Sequence, residues 1–245
     1  MMKHFLSIIL PSLSDGDNLA EIIPEILQLS ALKDKSLEFI VIEDGRPMSD
    51  SQLLKMRSLP CHFTYINNLT RQGLARSLLT GIYLAQAEHV LVMDCDFNHD
   101  VHLIPKIVQQ LSVHDFVSAS RYLGAGNMPG VLRGNGGRVM NIFLKSILDL
   151  TSSDVLYGFF AIRKELLLSL PLEKIFNGHG DYFFHLLFFL QEKNALGSEI
   201  PACNGIRRHG HSSFRPLANF LRYSASAFSL YLQEKRQPLY QGSTL

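Results

Sequence analysis

Residues 90–98 read Val-Leu-Val-Met-Asp-Cys-Asp-Phe-Asn, and this run constrains the fold more than any other in the chain. Four apolar residues, Val90 to Met93, suit a strand buried on both faces, as in sheets covered by helices on either side. Two aspartates separated by one residue follow at its carboxyl end, where open α/β sheets bind ligands. Asp94, Asp96 and the amide oxygen of Asn98 are oxygen donors of the kind a Mg2+ or Mn2+ ion takes. Such ions keep positions for water and substrate phosphate rather than a full protein cage. The same residues also fit two solvated loop acids capping a helix that begins near Val101, so the surroundings decide between the readings.

Strand and helix patterns alternate around that run. Residues 5–10 read as a strand, 11–18 as a loop of proline, glycine and small polar residues, and 19–29 as a helix capped by Asn18. Residues 37–42 form a second strand ending in Glu43-Asp44-Gly45, which suits either the donors of a base or ribose or an ordinary turn. A helix from about Ser49 leads to a short strand at 63–66. The loop to Gly73 follows, where Arg71 is placed to meet phosphate and the glycine lets backbone approach a ligand. Leu74, Leu78, Ile82 and Ala85 give the next helix a core-facing stripe. With a helix at 103–111 and a strand at 116–119, residues 1–119 predict a nucleotide-binding half with a largely parallel sheet.

Residues 120–215, the expected acceptor half, are less regular. Ser120-Arg121-Tyr122 lies at a strand end, and residues 124–137 hold six glycines and one proline, which predicts a mobile loop beside Arg133 and Arg138. A helix at 139–150, a strand or turn at 155–162, an apolar helix at 181–192 and a short strand at 198–200 follow. Arg207-Arg208-His209-Gly210-His211-Ser212-Ser213 gathers guanidinium, imidazole and hydroxyl groups suited to phosphate oxygens. The histidine spacing admits a metal too, without a nearby carboxylate or cysteine to complete the set, and a solvated basic turn is the plain alternative.

Composition narrows the class. A formal charge of +1 over 245 residues argues against a broad electrostatic footprint for duplex nucleic acid, so no nucleic-acid partner is expected. Cys61, Cys95 and Cys203 are scattered and offer neither a disulfide framework nor a paired-cysteine zinc motif, which fits a reduced, cytoplasmic setting. The apolar run at 5–10 lacks the features of a signal peptide. The run at 182–190 is nine residues long, against the ~20 needed to span a bilayer. No repeat or linker-like run marks a boundary, so residues 1–245 read as a single domain.

Taken in order, these segments resemble the inverting nucleotide-sugar glycosyltransferases of the A-type fold, and within family 2 the dolichol- or polyprenyl-phosphate mannosyltransferase branch. The resemblance runs from about Phe5 to Phe214. Pro11-Ser12-Leu13-Ser14-Asp15-Gly16-Asp17-Asn18-Leu19 is similar to Pro-Thr-Tyr-Asn-Glu-x-Glu-Asn-Leu, and Val41-Ile42-Glu43-Asp44-Gly45 to Val-Val-Asp-Asp-Gly. Arg71-Gln72-Gly73-Leu74-Ala75 resembles the Gly-Leu-Gly segment, and Met93-Asp94-Cys95-Asp96-Phe97-Asn98 the metal loop Met-Asp-Ala-Asp-Leu-Gln. Ser120-Arg121-Tyr122, Arg138 with Asn141, Asp154 through Gly158-Phe159, and Arg207 through Ser212 fall where the family has its later motifs.

The resemblance implies an α/β, Rossmann-like A-type fold with a mostly parallel central sheet and helices on both faces. It implies Mg2+ or Mn2+ at Asp94, Asp96 and Asn98, and catalytic roles for Asp96, Arg121 and Arg207. Nucleotide contacts are implied at Pro11, Leu13, Asp15, Ile42, Asp44, Arg71, Asp94, Cys95 and Arg138. The implied reaction moves a sugar from a GDP- or UDP-linked donor to a lipid-phosphate acceptor. The sequence departs from the family at Leu13, Tyr157, Phe160 and Ser213, and His185 stands where the branch commonly has glutamate.

A phosphate monoester with a second pKa of about 6 is largely dianionic at neutral pH and needs no general base, whereas Asp181 is the candidate base for a hydroxyl acceptor. Two other classes compete: a phosphohydrolase with an aspartate nucleophile, and a nucleotide-sugar-binding protein that has lost catalysis. In residues 216–245, Leu217, Phe220, Leu221, Phe228, Tyr231 and Leu232 fall mostly at helical spacing. That stripe suits peripheral contact with the cytoplasmic membrane face, or packing on its own domain or on a second subunit of a homodimer.

Overall fold

The protein is described by a computed structural model covering residues 4–124, 131–205, 208 and 216–235. Seven strands form one sheet: β1 (Leu6–Ser12), β2 (Leu37–Glu43), β3 (His62–Asn67), β4 (His89–Val92), β5 (Phe116–Ser120), β6 (Phe160–Arg163) and β7 (Gly197–Pro201); the apolar runs of β1, β2 and β4 are buried on both faces, while the edge strands β3 and β7 are polar and partly exposed. Their order is β3-β2-β1-β4-β6-β5-β7. Every pairing is parallel except those of β6, which runs antiparallel to both β4 and β5. The order of strands along the sheet reverses between β1 and β4, so the carboxyl ends of these parallel strands open the crevice in which such sheets bind ligands.

The helices are α1 (Gly16–Leu27), α2 (Asp50–Arg57), α3 (Leu74–Leu84), α4 (Ile104–Gln110), α5 (Val131–Leu148), α6 (Lys164–Leu168), α7 (Leu172–Ile175), α8 (Tyr182–Glu192) and α9 (Pro216–Lys235). Alternation along each strand divides the core in two. Ile9, Ile40, Ile42, Val90 and Val92 face the side covered by α3, α5 and α8, while Ile8, Leu10, Phe39, Val41 and Leu91 face α1 and α4. This is the doubly covered, mostly parallel α/β arrangement expected from the sequence.

Local signals explain several boundaries. Ser49 caps α2 in a reciprocal capping box with Gln52, as the sequence suggests. Asn18 does not cap α1. It lies inside the helix, fully buried, and its Nδ2 donates to Asp15 Oδ1 at 3.0 Å, while Asp15 takes the cap position. Of the stretch 155–162, only Phe160 to Ile162 is strand; the residues before it form the turn that carries Gly158 at φ 72°.

The glycine-rich stretch departs most from expectation. Residues 125–130 lie outside the described residues, but α5 already begins at Val131 and takes in Gly134, Gly136 and Gly137, which the sequence assigned to a loop. Each helical glycine costs about 1 kcal/mol against alanine. Tertiary packing of the rest of the helix offsets this: Met140, Leu144 and Leu148 are buried, and Phe143 stacks on Phe220 of α9 at 5.6 Å between centroids.

The two covered faces meet the same central strands, so a large core side chain there supports the whole sheet. Phe160 on β6 is fully buried between Phe116 of β5, at 5.7 Å, and Phe183 of α8, at 5.6 Å. Phe160→Ala should destabilise the fold by about 3–5 kcal/mol, read as a lowered denaturant midpoint with an unchanged slope.

Candidate active site

Four loops meet at the carboxyl ends of β1, β2, β3 and β4, and buried carboxylates fix them. Glu43 Oε2 accepts from the Ser12 hydroxyl at 2.6 Å, and its Oε1 accepts from the backbone N–H of Ser14 at 2.8 Å and of Gly45 at 2.7 Å. A Cβ at Gly45 would stand 2.5 Å from Ser14 Oγ and 2.9 Å from Ser14 N, so only glycine fits that crossing. Asp44 holds the next loop. Its Oδ1 accepts from Gln72 N and Asn68 Nδ2, at 2.6 and 2.9 Å, and its Oδ2 accepts from Gly73 N at 2.7 Å. Arg71 Nε lies 4.0 Å from the same carboxylate, with the Arg71 side chain largely exposed.

The aspartate loop follows β4. Asp96 is buried and accepts from Asn98 N at 3.0 Å and Asn98 Nδ2 at 2.7 Å; the Asp94 side chain is 44% exposed. Neither acid caps the following helix, because Asp100 does so, accepting from His102 N at 2.9 Å. That removes the capping alternative for the pair. Cys95 is buried between them with its thiol on Pro11 O at 3.2 Å. Burial pushes this thiol well above the ordinary cysteine range, and the charges of Asp15, Asp94 and Asp96 add to the effect. Three carboxylates from two loops therefore converge around one side chain.

Those acids suit a hard divalent cation. Asp94 is exposed enough to bind one, while Asp96 and Asn98 are held together beside it. Among the described residues, these positions do not make a closed cage of three His, Cys, Asp or Glu donors; the group that comes within 4.8 Å is His4, Glu38 and His62, elsewhere in the fold. An incomplete protein shell is what a magnesium-type site shared with substrate phosphate requires.

The opposite wall comes from the second half. Tyr157 donates from its hydroxyl to Asn98 O at 3.1 Å, and Gly205 N donates to the same carbonyl at 2.9 Å. A Cβ at Gly205 would lie 1.9 Å from Phe97 O, so the segment after β7 is packed directly on the aspartate loop. Arg208 continues this contact. Its guanidinium lies 3.8 Å from the Phe97 ring centroid and pairs with Glu21 and Glu25 of α1 at 3.0 and 3.4 Å.

The other residues expected from the sequence fall into groups. Pro11 lies in the last paired residues of β1 rather than in a loop, and Leu13 and Asp15 follow the strand, with Leu13 exposed and Asp15 accepting from Leu13 N at 3.1 Å. Ile42 is not brought to the site surface; its side chain is fully buried under α3. Arg138 is exposed and near enough to Tyr122 for its charge to act on that phenol. Arg121 is largely withdrawn from solvent: its Nε and Nη2 donate to Asp154 at 2.7 and 2.9 Å, and its backbone N–H donates to the same carboxylate at 3.1 Å. Burial works against the guanidinium charge, but the bonds to Asp154 outweigh it and the pKa is raised. Arg207 lies outside the described residues.

Several contributors carry no motif of their own. His99 is buried, stacked 4.9 Å from Phe159, and accepts on Nδ1 from Asp94 N while Nε2–H donates to Tyr157 O at 3.0 Å. It joins the aspartate loop to the second half. Tyr182 is buried where the Asp94 charge adds to burial in raising its pKa. His179 has a pKa lowered by burial and then by Arg222, with Arg71 also acting on it, so α8, α9 and the Gly73 loop face one another there. A histidine five residues past the first aspartate was a usable signal; the others are visible only in three dimensions.

The fold and this site define an α/β protein whose candidate ligand crevice lies at the carboxyl ends of a doubly covered sheet. The chain belongs to glycosyl transferase family 2, whose model matches residues 7–170. It is 25% identical over 217 residues to a dolichol-phosphate mannosyltransferase of Pyrococcus furiosus, covering 86% of this chain and 59% of that protein. A protein of the same name from Saccharomyces cerevisiae is 24% identical over 246 residues, covering 94% and 85%. The fold also matches glucosyl-3-phosphoglycerate synthase from Mycobacterium tuberculosis, solved with Mn2+, uridine diphosphate and glucosyl-3-phosphoglycerate. That likeness has a TM-score of 0.64 at 20% identity, over 96% of this chain and 81% of that one.

Because Asn98, two residues on, donates both of the hydrogen bonds described for Asp96 and an amide can still accept them, Asp96→Asn should keep the fold, with melting temperature and circular dichroism near those of the parent. Turnover should fall about a hundredfold or more, and Mn2+-dependent affinity for a nucleoside diphosphate should be lost. Unchanged metal-dependent affinity in that variant would remove Asp96 from the site.

Proposed function

We propose that this glycosyltransferase performs a metal-dependent, inverting transfer of a sugar from a GDP- or UDP-linked donor to a polyprenyl-phosphate-like lipid. The aspartate loop at the carboxyl end of β4 carries the reading, because it sets the exposed Asp94 beside Asp96 and Asn98, which are bonded to each other, in the crevice where a diphosphate would lie. Asp94, Asp96 and Asn98 would hold Mg2+ or Mn2+, which neutralises the leaving diphosphate when bound. The solved glucosyl-3-phosphoglycerate synthase with Mn2+ and uridine diphosphate supports the cation, and the two mannosyltransferase relatives support the acceptor class.

The chain's own residues perform the remaining tasks. Asp44 and Glu43 set the nucleotide loops, and Asp44 keeps one lone-pair position of Oδ2 for a base or ribose donor beyond its bonds to Asn68, Gln72 and Gly73. Arg71, Arg138 and Arg207 are the cations assigned to phosphate. Arg121 acts at one remove, by fixing the residues around Asp154.

A phosphate acceptor fits better than a hydroxyl. The candidate base, Asp181, is buried and committed: Oδ1 accepts from His179 N at 2.7 Å and Oδ2 from the Ser226 hydroxyl at 2.6 Å. Ser226 in turn accepts from His185 Nε2 at 2.9 Å, so these groups anchor α9 to α8. His185 needs no glutamate's role in that network; burial lowers its pKa and keeps it neutral.

The lipid reading draws support from α9. Its inner face is Tyr223, Ala227, Leu230 and Tyr231, of which Tyr231 belongs to the stripe expected in sequence. Leu221, Phe228 and Leu232 remain 62%, 50% and 45% exposed, and Val139 and Ile142 of α5 extend the patch, bridged by Phe143 against Phe220 and Phe228. Among the described residues no helix is long and apolar enough to cross a membrane, so contact through this patch would be peripheral.

Nucleoside-diphosphate release should be measured with Mn2+ and GDP- or UDP-linked sugars, with and without polyprenyl phosphate. Release that depends on the lipid phosphate is expected. Release without any acceptor, or donor binding without turnover, would favour the hydrolase or binding-protein readings. Arg207→Lys should impair transfer at low substrate, since an ammonium cannot reproduce a two-pronged guanidinium contact. Anionic liposomes should float the parent, and a Leu221→Ser/Phe228→Ser variant should stay at the bottom. Equal behaviour of the two would mark the patch as unrelated to lipid.

A further inference from the structure

We propose that His4, Glu38 and His62 form a separate binding site for a divalent transition metal, zinc by its donor chemistry, at the end of the sheet remote from the aspartate loop. Glu38 is the second residue of β2, and Glu43, which holds the nucleotide loops, is its last. Five residues of strand place the two ends about 17 Å apart.

Glu38 is fully buried, and its two oxygens are not equivalent. Oε2 accepts from the Ser7 hydroxyl and from Gln86 N, the latter at 2.8 Å. Oε1 is equally buried and accepts no hydrogen bond; the nearest cationic partner is His62 Nδ1 at 3.5 Å. Leaving a buried carboxylate oxygen without a donor is costly, and strand registry makes the position deliberate, since Glu38 and His62 are direct partners across β2 and β3. A metal ion on Oε1 satisfies that oxygen and explains why two imidazoles stand over it.

The histidines are arranged for this. Their ring centroids are 4.9 Å apart, and one donor atom from each of the three side chains comes within 4.8 Å of the others. Zn–N and Zn–O bonds of about 2.0–2.1 Å require donors roughly 3.3 Å apart, so the cluster must contract by roughly 1.5 Å. Both rings have room to do so, as the His62 side chain is 45% exposed and His4 is partly exposed. His4 Nδ1 is bonded to Ser36 Oγ at 2.9 Å, which leaves Nε2 for the ion and orients the ring as an outer-shell partner does.

Two imidazoles and one carboxylate favour zinc over the hard ions expected at the aspartates, and three protein ligands leave a fourth position open. His62 lines a surface cleft with Ser36, Cys61 and Lys35, which gives an ion and a small fourth ligand a way in. Such an ion would staple edge strand β3 to β2 and to the residues ahead of β1.

The test is titration of the tag-free, full-length protein with Zn2+ in the absence of nucleotide, by calorimetry and by thermal melting. One equivalent of zinc should bind and raise the melting temperature through mass action. His62→Ala and His4→Ala should each weaken zinc binding at least tenfold and abolish the rise, while Mn2+-supported turnover stays at the parental level. Asp96→Asn should leave zinc binding unchanged, which separates this site from the proposed catalytic one. The assignment is overturned if the parent binds no zinc at sub-millimolar concentration, if both histidine variants bind as the parent does, or if the zinc is lost with Asp96→Asn.

Discussion

The buried carboxylate of Glu43 is the interaction on which the donor side depends. It faces hydroxyl and peptide dipoles rather than an arginine, accepting from Ser12, Ser14 and Gly45. Charge-assisted bonds of this type contribute about 1.5–3 kcal/mol each. More important is what they join: the loop after β1, which carries Asp15, and the turn after β2, which carries Asp44. Asp44 then gathers Asn68, Gln72 and Gly73 at the head of α3. One acid thus fixes the frame, and the next extends it to the third strand.

The second half uses the same device with a cation added. Arg121 forks onto Asp154, which is fully buried, and Asn141 receives Val155 N on its Oδ1 while its Nδ2 donates to Ser153 O, both at 2.8 Å. Removing one partner of such a pair costs about 3–5 kcal/mol because the other is left charged and buried. The turn held in this way contains Tyr157, whose hydroxyl reaches the aspartate loop. An arginine that looks from sequence like a phosphate ligand is therefore a positioning residue, and a substitution there would disturb the site through Tyr157.

Much of the donor half was legible in the chain. Residues with an apolar run and a strand-end acid gave β1, β2 and β4 nearly to the residue, and Ser49 announced α2, because these signals are local. The failures were long-range. Nothing near Gly134 or Gly136 reveals that α5 will be held by α9, and Asn18 looks like a cap until Asp15 takes that place. The α9 stripe divides, Tyr231 packing inward and Leu221, Phe228 and Leu232 staying outside, because Ser226, polar in sequence, faces inward to meet Asp181 and His185. The roles of His99 and Tyr157, though both lie beside motifs in the sequence, show only through a partner in the other half.

The distribution of cations ties these points together. Arg121 and Arg208 are engaged by Asp154 and by Glu21 and Glu25, so their charges are largely neutralised within the protein. Arg71 and Arg138 are exposed, with Arg71 4.0 Å from Asp44, and the charges of Arg71 and of Arg222 on α9 both act on His179. The Ser226–Asp181–His185 network ties α9 to α8, so the helix is anchored to the domain rather than left as a loose tail, and its exposed apolar side is held in place by the same buried polar groups.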